Sequence, residues 1–441
     1  MARSRDAGAS RDAVEGTRGL RRSRHVSITW RGVVALSVGI LALVLAYVIG
    51  RTEYLVAAVF ALLLPLGGLL YVRLRRPKLE VVRLFSPPVV SVGGTAQVTV
   101  RITNLGVRAT TPIAWEDALP WEEEGTSRTA GPITPGRRHT RVATYDLHPP
   151  RRGLYAVGPF VVEHEDPFGF ATATLALGAP DRLVVVPAVS SLSDGGPSLT
   201  DGEGEAQLIQ RRVTGNDDDL STREYRPGDA LRRVHWRASA RHGELMVRQE
   251  EQRSHPDARI LVDTRRAGYP DAVADRGFSW GADWASDSFE WVVRMVASLG
   301  LHLEQSGFRV QVDETGYQQI DPIEEVREAR RAESFLTSLA GVQLIDQAMA
   351  TLSPFTGADG RGPVFAVLGD PEESVIDWLA KRRAAGDAGY AFLVEPRAWT
   401  AERMREAGWT VVEARATDDP AAAWRAAASA AVANGAVHGS R

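Results

Sequence analysis

The residues best equipped for chemistry crowd into one stretch, Arg223 to Glu251, which reads REYRPGDALRRVHWRASARHGELMVRQEE. Guanidinium forks suit carboxylates and phosphates, and a histidine at position 235 can change charge near neutral pH. Between Arg211 and Arg253 ten arginines stand against eight acids, so the surface is mixed in charge rather than basic. Three readings are open. Arg226, Asp229, Arg233 and Arg241 form ion pairs that tie neighbouring domains together, or the stretch binds a partner or an anion, or His235 takes part in catalysis. A lone histidine beside Trp236 is more often a packed core residue. No Ser-His-Asp spacing, H-E-x-x-H helix or phosphate-cradling glycine loop accompanies it anywhere in the chain. Arg226-Pro227-Gly228-Asp229 reads as a turn in which Asp229 caps a short helix from about Ala230, with Leu231, Val234 and Trp236 turned to the core.

Downstream, short apolar runs at Arg259–Val262, Arg309–Val312, Val364–Leu368, Tyr390–Val394 and Thr410–Val412 alternate with helical stretches at Phe289–Gln305, Ile323–Ala340, Glu373–Ala384 and Ala401–Ala407. That alternation predicts βα units and a mostly parallel, Rossmann-like sheet. A last helix lies within Ala421–Ala433, and 435–441 is expected to be a mobile tail. Upstream, Gln97–Thr103 and Arg141–Leu147 alternate as half-buried strands do, and turn formers punctuate the region. Residues 79–189 therefore read as a small β-sandwich-like domain. Ser190–Glu205, rich in Ser, Gly, Asp and Pro, opens a linker taken to run over 190–222, and the signature segment with the α/β domain fills 223–434.

Near the start, Gly32–Gly50 and Leu55–Val72 carry no charge, and each is about the ~20 residues that cross ~30 Å of hydrocarbon. Only Arg51 to Tyr54 separate them, so 32–72 reads as a transmembrane hairpin. The first run is longer than a signal-peptide core and a second span follows at once. Eight arginines against three acids precede it in the basic tail 1–31, and Arg73, Arg75, Arg76 and Lys78 follow it. By the positive-inside rule both termini and the large soluble part are expected to be cytoplasmic, in a two-span protein of the cell membrane. Hydrophobic residues at 44% and charged ones at 24% fit a mainly soluble chain, and a net charge of −3 argues against a nucleic-acid binder. The absence of cysteine removes disulfides, thiolate metal sites and cysteine nucleophiles.

Tyr225-Arg226-Pro227-Gly228-Asp229, then Arg233, His235-Trp236 and Ser239-Ala240-Arg241, resemble the hallmark of the domain of unknown function 58 family. Arg152-Gly153-Leu154-Tyr155, Gly158-Pro159 and Asp166-Pro167-Phe168-Gly169 look like its upstream pattern, so the likeness spans roughly 151–313. The resemblance implies a membrane-anchored protein with a von Willebrand factor type A-like C-terminal domain. It also implies partners, a MoxR-type AAA+ ATPase and a transglutaminase-like membrane protein.

Type A domains often bind a divalent cation through Asp-x-Ser-x-Ser after their first strand. Here the matching residues are Asp263-Thr264-Arg265-Arg266-Ala267, with both serines missing. Asp370 is a second carboxylate at the same sheet edge. Carboxylates beside arginines point to salt bridges rather than metal, and no cofactor is expected. The function expected is a non-enzymatic, membrane-tethered scaffold or adaptor, with Tyr225 to Asp229, Arg233, His235, Trp236 and Arg241 as partner-binding candidates. The alternative is a metal-dependent sensor or enzyme built on Asp263 and Asp370.

Overall fold

The computed structural model describes residues 25–75, 77–107, 113–121, 139–192, 197, 222–224, 236–248, 257–274, 284–320, 331–346, 362–382 and 389–438. The chain divides into two compact units, Met1–Val186 with Asp275–Ala282, and Pro187–Ala274 with Asp283–Arg441.

In the first unit β1 (Val26–Ile28) leads into α1 (Trp30–Ile49) and α2 (Thr52–Leu74). Thr29 caps α1 by accepting the Gly32 N–H at 3.2 Å, and Gly50 ends it in the left-handed conformation with φ 72°. Both helices are long and apolar enough to cross a membrane, with little of either buried inside the protein. They are longer than the uncharged runs suggest, because Thr52 to Tyr54 already lie in the second helix and leave a turn of Gly50 and Arg51. Pro65, whose ring removes one backbone donor, sits inside α2 without ending it. A Cβ at Gly39 would come within 2.8 Å of Leu62, so glycine there lets the two helices approach closely.

The strands that follow are β2 (Leu79–Ser86), β3 (Val89–Ser91), β4 (Ala96–Asn104), β5 (Ala114–Asp117), β6 (Thr140–Leu147), β7 (Gly153–Val157), β8 (Phe160–Glu165), β9 (Ala171–Leu177) and β10 (Asp181–Val186). They form sheets ordered β2-β4-β6, β1-β9-β8-β5 and β3-β10-β7, antiparallel except for the parallel β3–β10 pair. Alternating burial along β4 delivers Val98, Val100 and Ile102 to a core shared with Trp115, Tyr155, Phe160 and Leu183. The buried Arg83 is held bidentately by Asp117, which also accepts the Tyr145 hydroxyl at 2.6 Å. Within the basic segment 1–31, Val26 to Ile28 form an edge strand paired with β9.

In the second unit β11 (Thr222–Glu224) pairs antiparallel with β12 (Met246–Arg248), and α3 (Trp236–His242) lies between them in sequence. There follow β13 (Asp257–Val262), the short pair β14 (Val273–Ala274) and β15 (Trp284–Ala285), α4 (Asp287–Gln305), β16 (Arg309–Glu314) and α5 (Arg331–Gly341). The last elements are β17 (Val364–Leu368), α6 (Glu373–Arg382), β18 (Gly389–Val394), α7 (Ala398–Glu406), β19 (Thr410–Ala414) and α8 (Pro420–His438). The main sheet is wholly parallel, in the order β16-β13-β17-β18-β19. Parallel strands covered on both faces are continuous apolar runs, as the fully buried VFAVL of β17 illustrates. Helices α4, α5 and α8 supply one core through Trp291, Phe335 and Trp424, while α6 and α7 cover the other face through Ile376, Leu379 and Met404.

Two boundaries move. Leu192 is buried in the α/β core and the Ser190 N–H donates to Ser298 Oγ at 2.9 Å, so the supposed linker begins as part of this unit. The last helix reaches His438, beyond the point where a mobile tail was expected, because its alanine-rich composition favours helix. Residues 321–330, most of 193–221 and 383–388 lie outside the described residues.

Candidate functional site

Numbered within their own sheet, the parallel strands run 2-1-3-4-5, so the order reverses between β13 and β17. In open α/β sheets that switch point, beyond the carboxyl ends of the strands, is where ligands bind. Asp263 follows β13 and Asp370 follows β17 by one intervening residue, so both sequence-derived carboxylates stand at this edge.

Both are almost fully buried, at 0% and 1% exposure, and both are engaged by the chain itself. Asp263 Oδ1 accepts the Arg265 backbone N–H at 3.1 Å, Arg265 Nε at 3.3 Å and the Thr315 hydroxyl at 2.5 Å. Arg265 is itself buried and reaches Glu372 with Nη1 at 3.2 Å. The Tyr269 hydroxyl donates to the Asp263 carbonyl at 2.6 Å, and burial pushes that phenol well above its ordinary pKa. A Cβ at Gly268 would lie 2.6 Å from Asp263 Oδ2, so the loop closes over the carboxylate only because that residue is glycine.

Asp370 is held on both of its oxygens. Its Oδ1 accepts the Thr400 hydroxyl at 2.6 Å and the Arg397 N–H at 3.2 Å, and its Oδ2 pairs with Arg397 Nε. The Arg397 guanidinium then lies 5.1 Å from the Trp399 ring centre, mostly in solvent. The Asp370 N–H donates to the Gly268 carbonyl at 2.8 Å and so joins the two loops. On β16, the other neighbour of β13, Glu314 Oε1 accepts the N–H groups of Gln319 and Ile320, both at 2.7 Å, and burial raises its carboxyl to about 7.

A resident divalent cation does not fit these residues. A cation needs several oxygen donors free to turn inward; Asp263 Oδ2 and Thr264 Oγ1 are without partners, but the position of the first motif serine carries Arg265, whose guanidinium already occupies Asp263 Oδ1. Among the described residues no group of three or more His, Cys, Asp or Glu side chains could hold a metal ion.

The arginine-rich segment is described only in part. Tyr225, Arg226, Pro227, Gly228, Asp229, Arg233 and His235 lie outside the described residues, as does the helix start expected near Ala230. Trp236 and Arg241 are described, on α3, and both are exposed. Trp236 was expected to face the core and instead shows 70% of its surface. Ser239 is the residue of α3 whose role was not foreseen. Its hydroxyl accepts the Met246 N–H at 2.8 Å and so clips the helix to β12. The upstream strings of the resemblance serve local structure. The Tyr155 hydroxyl donates to the Arg151 carbonyl at 2.8 Å, and Gly158, at φ 105°, leaves room for the Arg83 guanidinium.

The family described as "Protein of unknown function DUF58" matches residues 221–269, a narrower range than the 151–313 over which its strings were recognised. No curated protein matches the chain. Among solved structures, the CARDB domain of the PF1109 protein from Pyrococcus furiosus shares 20% identity over 23% of this chain and 89% of that one, with TM-score 0.17. The sporulation control protein Spo0M from Bacillus subtilis shares 12% identity over 33% of this chain and 57% of its own, with TM-score 0.16. The C-terminal domain of wzt shares 11% over 27% and 86%, with TM-score 0.17. At such TM-scores none of them bears on fold or function.

Proposed function

We propose that this protein is a membrane-tethered cytoplasmic scaffold or adaptor whose family segment docks a protein partner, a MoxR-type AAA+ ATPase. In this reading α1 and α2 cross the cell membrane with Gly50 and Arg51 outside and both flanks in the cytoplasm. The first soluble unit is then sandwich-like, the second a type A-like domain, and a transglutaminase-like membrane protein is a second partner. The observation that carries the reading is Trp236, 70% exposed on a helix of the family-matched segment, with Arg241 exposed on the same helix. Tryptophan and arginine are the residues that most often dominate binding energy at interfaces, and a tryptophan so exposed gains little from the fold that carries it. The paired state of Asp263 and Asp370 adds support, since both carboxylates already have arginine partners.

The test is binding of a purified MoxR-type ATPase from the same genome to the full chain in detergent micelles. Saturable binding is expected, and Trp236→Ala should weaken it at least about tenfold, equivalent to ~1.4 kcal/mol. Absence of saturable binding by the unaltered chain overturns the proposal. The alternative, a metal-dependent sensor or enzyme at the sheet edge, draws on the buried Asp263 Oδ2 and Thr264 Oγ1, which have no hydrogen-bond partners. A stoichiometric divalent ion in the purified chain, lost on Asp263→Asn, would favour it.

A further inference from the structure

The turn Asp166 to Phe170, between β8 and β9, is more firmly built than a connecting loop requires. Buried Asp166 accepts the Phe168 N–H on Oδ1 at 2.8 Å and the Ala171 N–H on Oδ2 at 2.5 Å, while its carbonyl accepts the Gly169 N–H at 3.0 Å. Gly169 takes φ 71°, which the reversal demands. The turn is then pinned against the base of the helix pair. The Thr29 N–H donates to the Phe170 carbonyl at 2.9 Å and the Thr29 hydroxyl to the Gly169 carbonyl at 2.5 Å. Glycines open both helices to it, since a Cβ at Gly32 would lie 2.4 Å from the Phe170 oxygen and one at Gly68 would lie 3.0 Å from Asp166 Cγ. Beside them the His164 ring stacks on Tyr71 with 6.0 Å between centres, and Val72 packs on Ala171 and Ala173.

These contacts fix the height of the turn along the helices. Thr29 caps the start of α1, and Gly68 is six residues before the end of α2, about 9 Å at a rise of ~1.5 Å per residue. A turn lodged there lies level with the first turn of α1 and within the last two turns of α2. At that level Phe168 is 61% exposed and Trp30 73% exposed, with Phe170 stacked behind Phe168 at 6.0 Å. Arg31 lies 5.9 Å from the Trp30 ring centre and approaches Gly169. Exposed aromatics with an arginine at the ends of apolar helices have the composition of the membrane–water boundary.

We infer that the Asp166–Phe170 turn is a phospholipid-interface anchor: Phe168 and Trp30 insert at the level of the headgroups and upper acyl chains, and Arg31 meets headgroup phosphates. The inference rests on α1 and α2 crossing the bilayer. Two spanning helices alone leave a soluble unit free to swing. A third point of insertion, rigidly bonded to both helix bases, holds the β unit in one orientation on the membrane.

Because the chain has no cysteine, single positions can be labelled cleanly. Phe168→Cys, Leu43→Cys and Tyr317→Cys would each carry an environment-sensitive fluorophore in the full chain, reconstituted in phospholipid nanodiscs with nitroxides at headgroup or mid-acyl depth. The label at 168 is expected to be blue-shifted and quenched at least twofold more by headgroup nitroxides than the label at 317, while the label at 43 responds to the mid-acyl nitroxides. A label at 168 behaving like that at 317, with 43 quenched, overturns the anchor and leaves the spanning helices intact. Loss of quenching at both 168 and 43 overturns the spanning helices and the anchor with them.

Discussion

At the scale of the residue, Asp263 and Asp370 show how two chemically similar ion pairs differ in what they hold together. Arg265 is buried with Asp263, and its removal leaves a carboxylate at 0% exposure with the Thr315 hydroxyl and one backbone N–H as its remaining donors. Breaking a buried pair from one side typically costs about 3–5 kcal/mol, because the surviving charge has no compensation. The Arg397 side chain is 60% exposed, and Asp370 without it keeps the Thr400 hydroxyl and the Arg397 N–H. Arg265→Ala is therefore expected to lower the melting temperature of the chain by several degrees more than Arg397→Ala does. Equal losses in thermal denaturation would mean that Arg265 is not the keystone of this edge. Both carboxylates could be placed from the ends of apolar runs alone, since a strand that stops being apolar has reached its sheet edge. Arg265 could be read beside Asp263 in the same way, but the hydroxyl partners could not. Thr315 comes from the end of β16 and Thr400 from the first turn of α7, 52 and 30 positions from the carboxylates they bond, and neither has a signal near 263 or 370 in sequence.

At the scale of the element, the strands of the parallel sheet were the most legible part of the chain and β1 the least. Burial on both faces writes β17 and β18 as unbroken apolar runs, a pattern that a surface loop does not sustain. Val26 to Ile28 are three residues whose strand character arises only from pairing with Ala171 to Ala173, far along the chain. Trp236 misled for a related reason, because an aromatic in an amphipathic stretch looks like core until a neighbouring element fails to cover it.

The strand β16 carries a prediction of its own. Glu314 at its end has a carboxyl raised from 4.5 to about 7 by burial. Between those values the folded chain holds a proton that the unfolded chain has released. Its contribution to stability is therefore complete below pH ~4.5 and is lost as pH rises through ~7, a change of as much as about 3 kcal/mol. Glu314→Gln cannot titrate, yet its side-chain oxygen can still accept the Gln319 and Ile320 N–H groups. The variant is expected to flatten the dependence of melting temperature on pH between about 5 and 7 and to be the more stable form at pH 8. A slope unchanged from that of the original chain would show that another group sets it.

At the scale of the whole molecule, the N-terminal segment contributes more to the first unit than two apolar helices, because its β1 also completes that unit's sheet. β1 precedes α1 directly and covers the free edge of β9, with the Thr174 N–H donating to the His25 carbonyl at 2.9 Å and the Ser27 and Thr172 hydroxyls 2.9 Å apart. Removing residues 1–75 to obtain a soluble form would take away the partner strand together with Tyr71 and Val72, which cover His164, Ala171 and Ala173. An uncovered edge flanked by small apolar residues is a template for pairing with a second chain. The truncated form is therefore expected to dimerise or aggregate at micromolar concentration in sedimentation velocity, whereas the full chain in micelles does not do so through this edge. Thr174→Pro removes the donor that points at the missing strand and leaves pairing with β8 on the opposite side, so it should return the truncated form toward monomer. If that form is monomeric without the substitution, or self-associates equally with it, then the edge of β9 is not what the N-terminal segment protects. The bond between β1 and β9 would in that case serve only to hold the helices at their fixed height above the Asp166 turn.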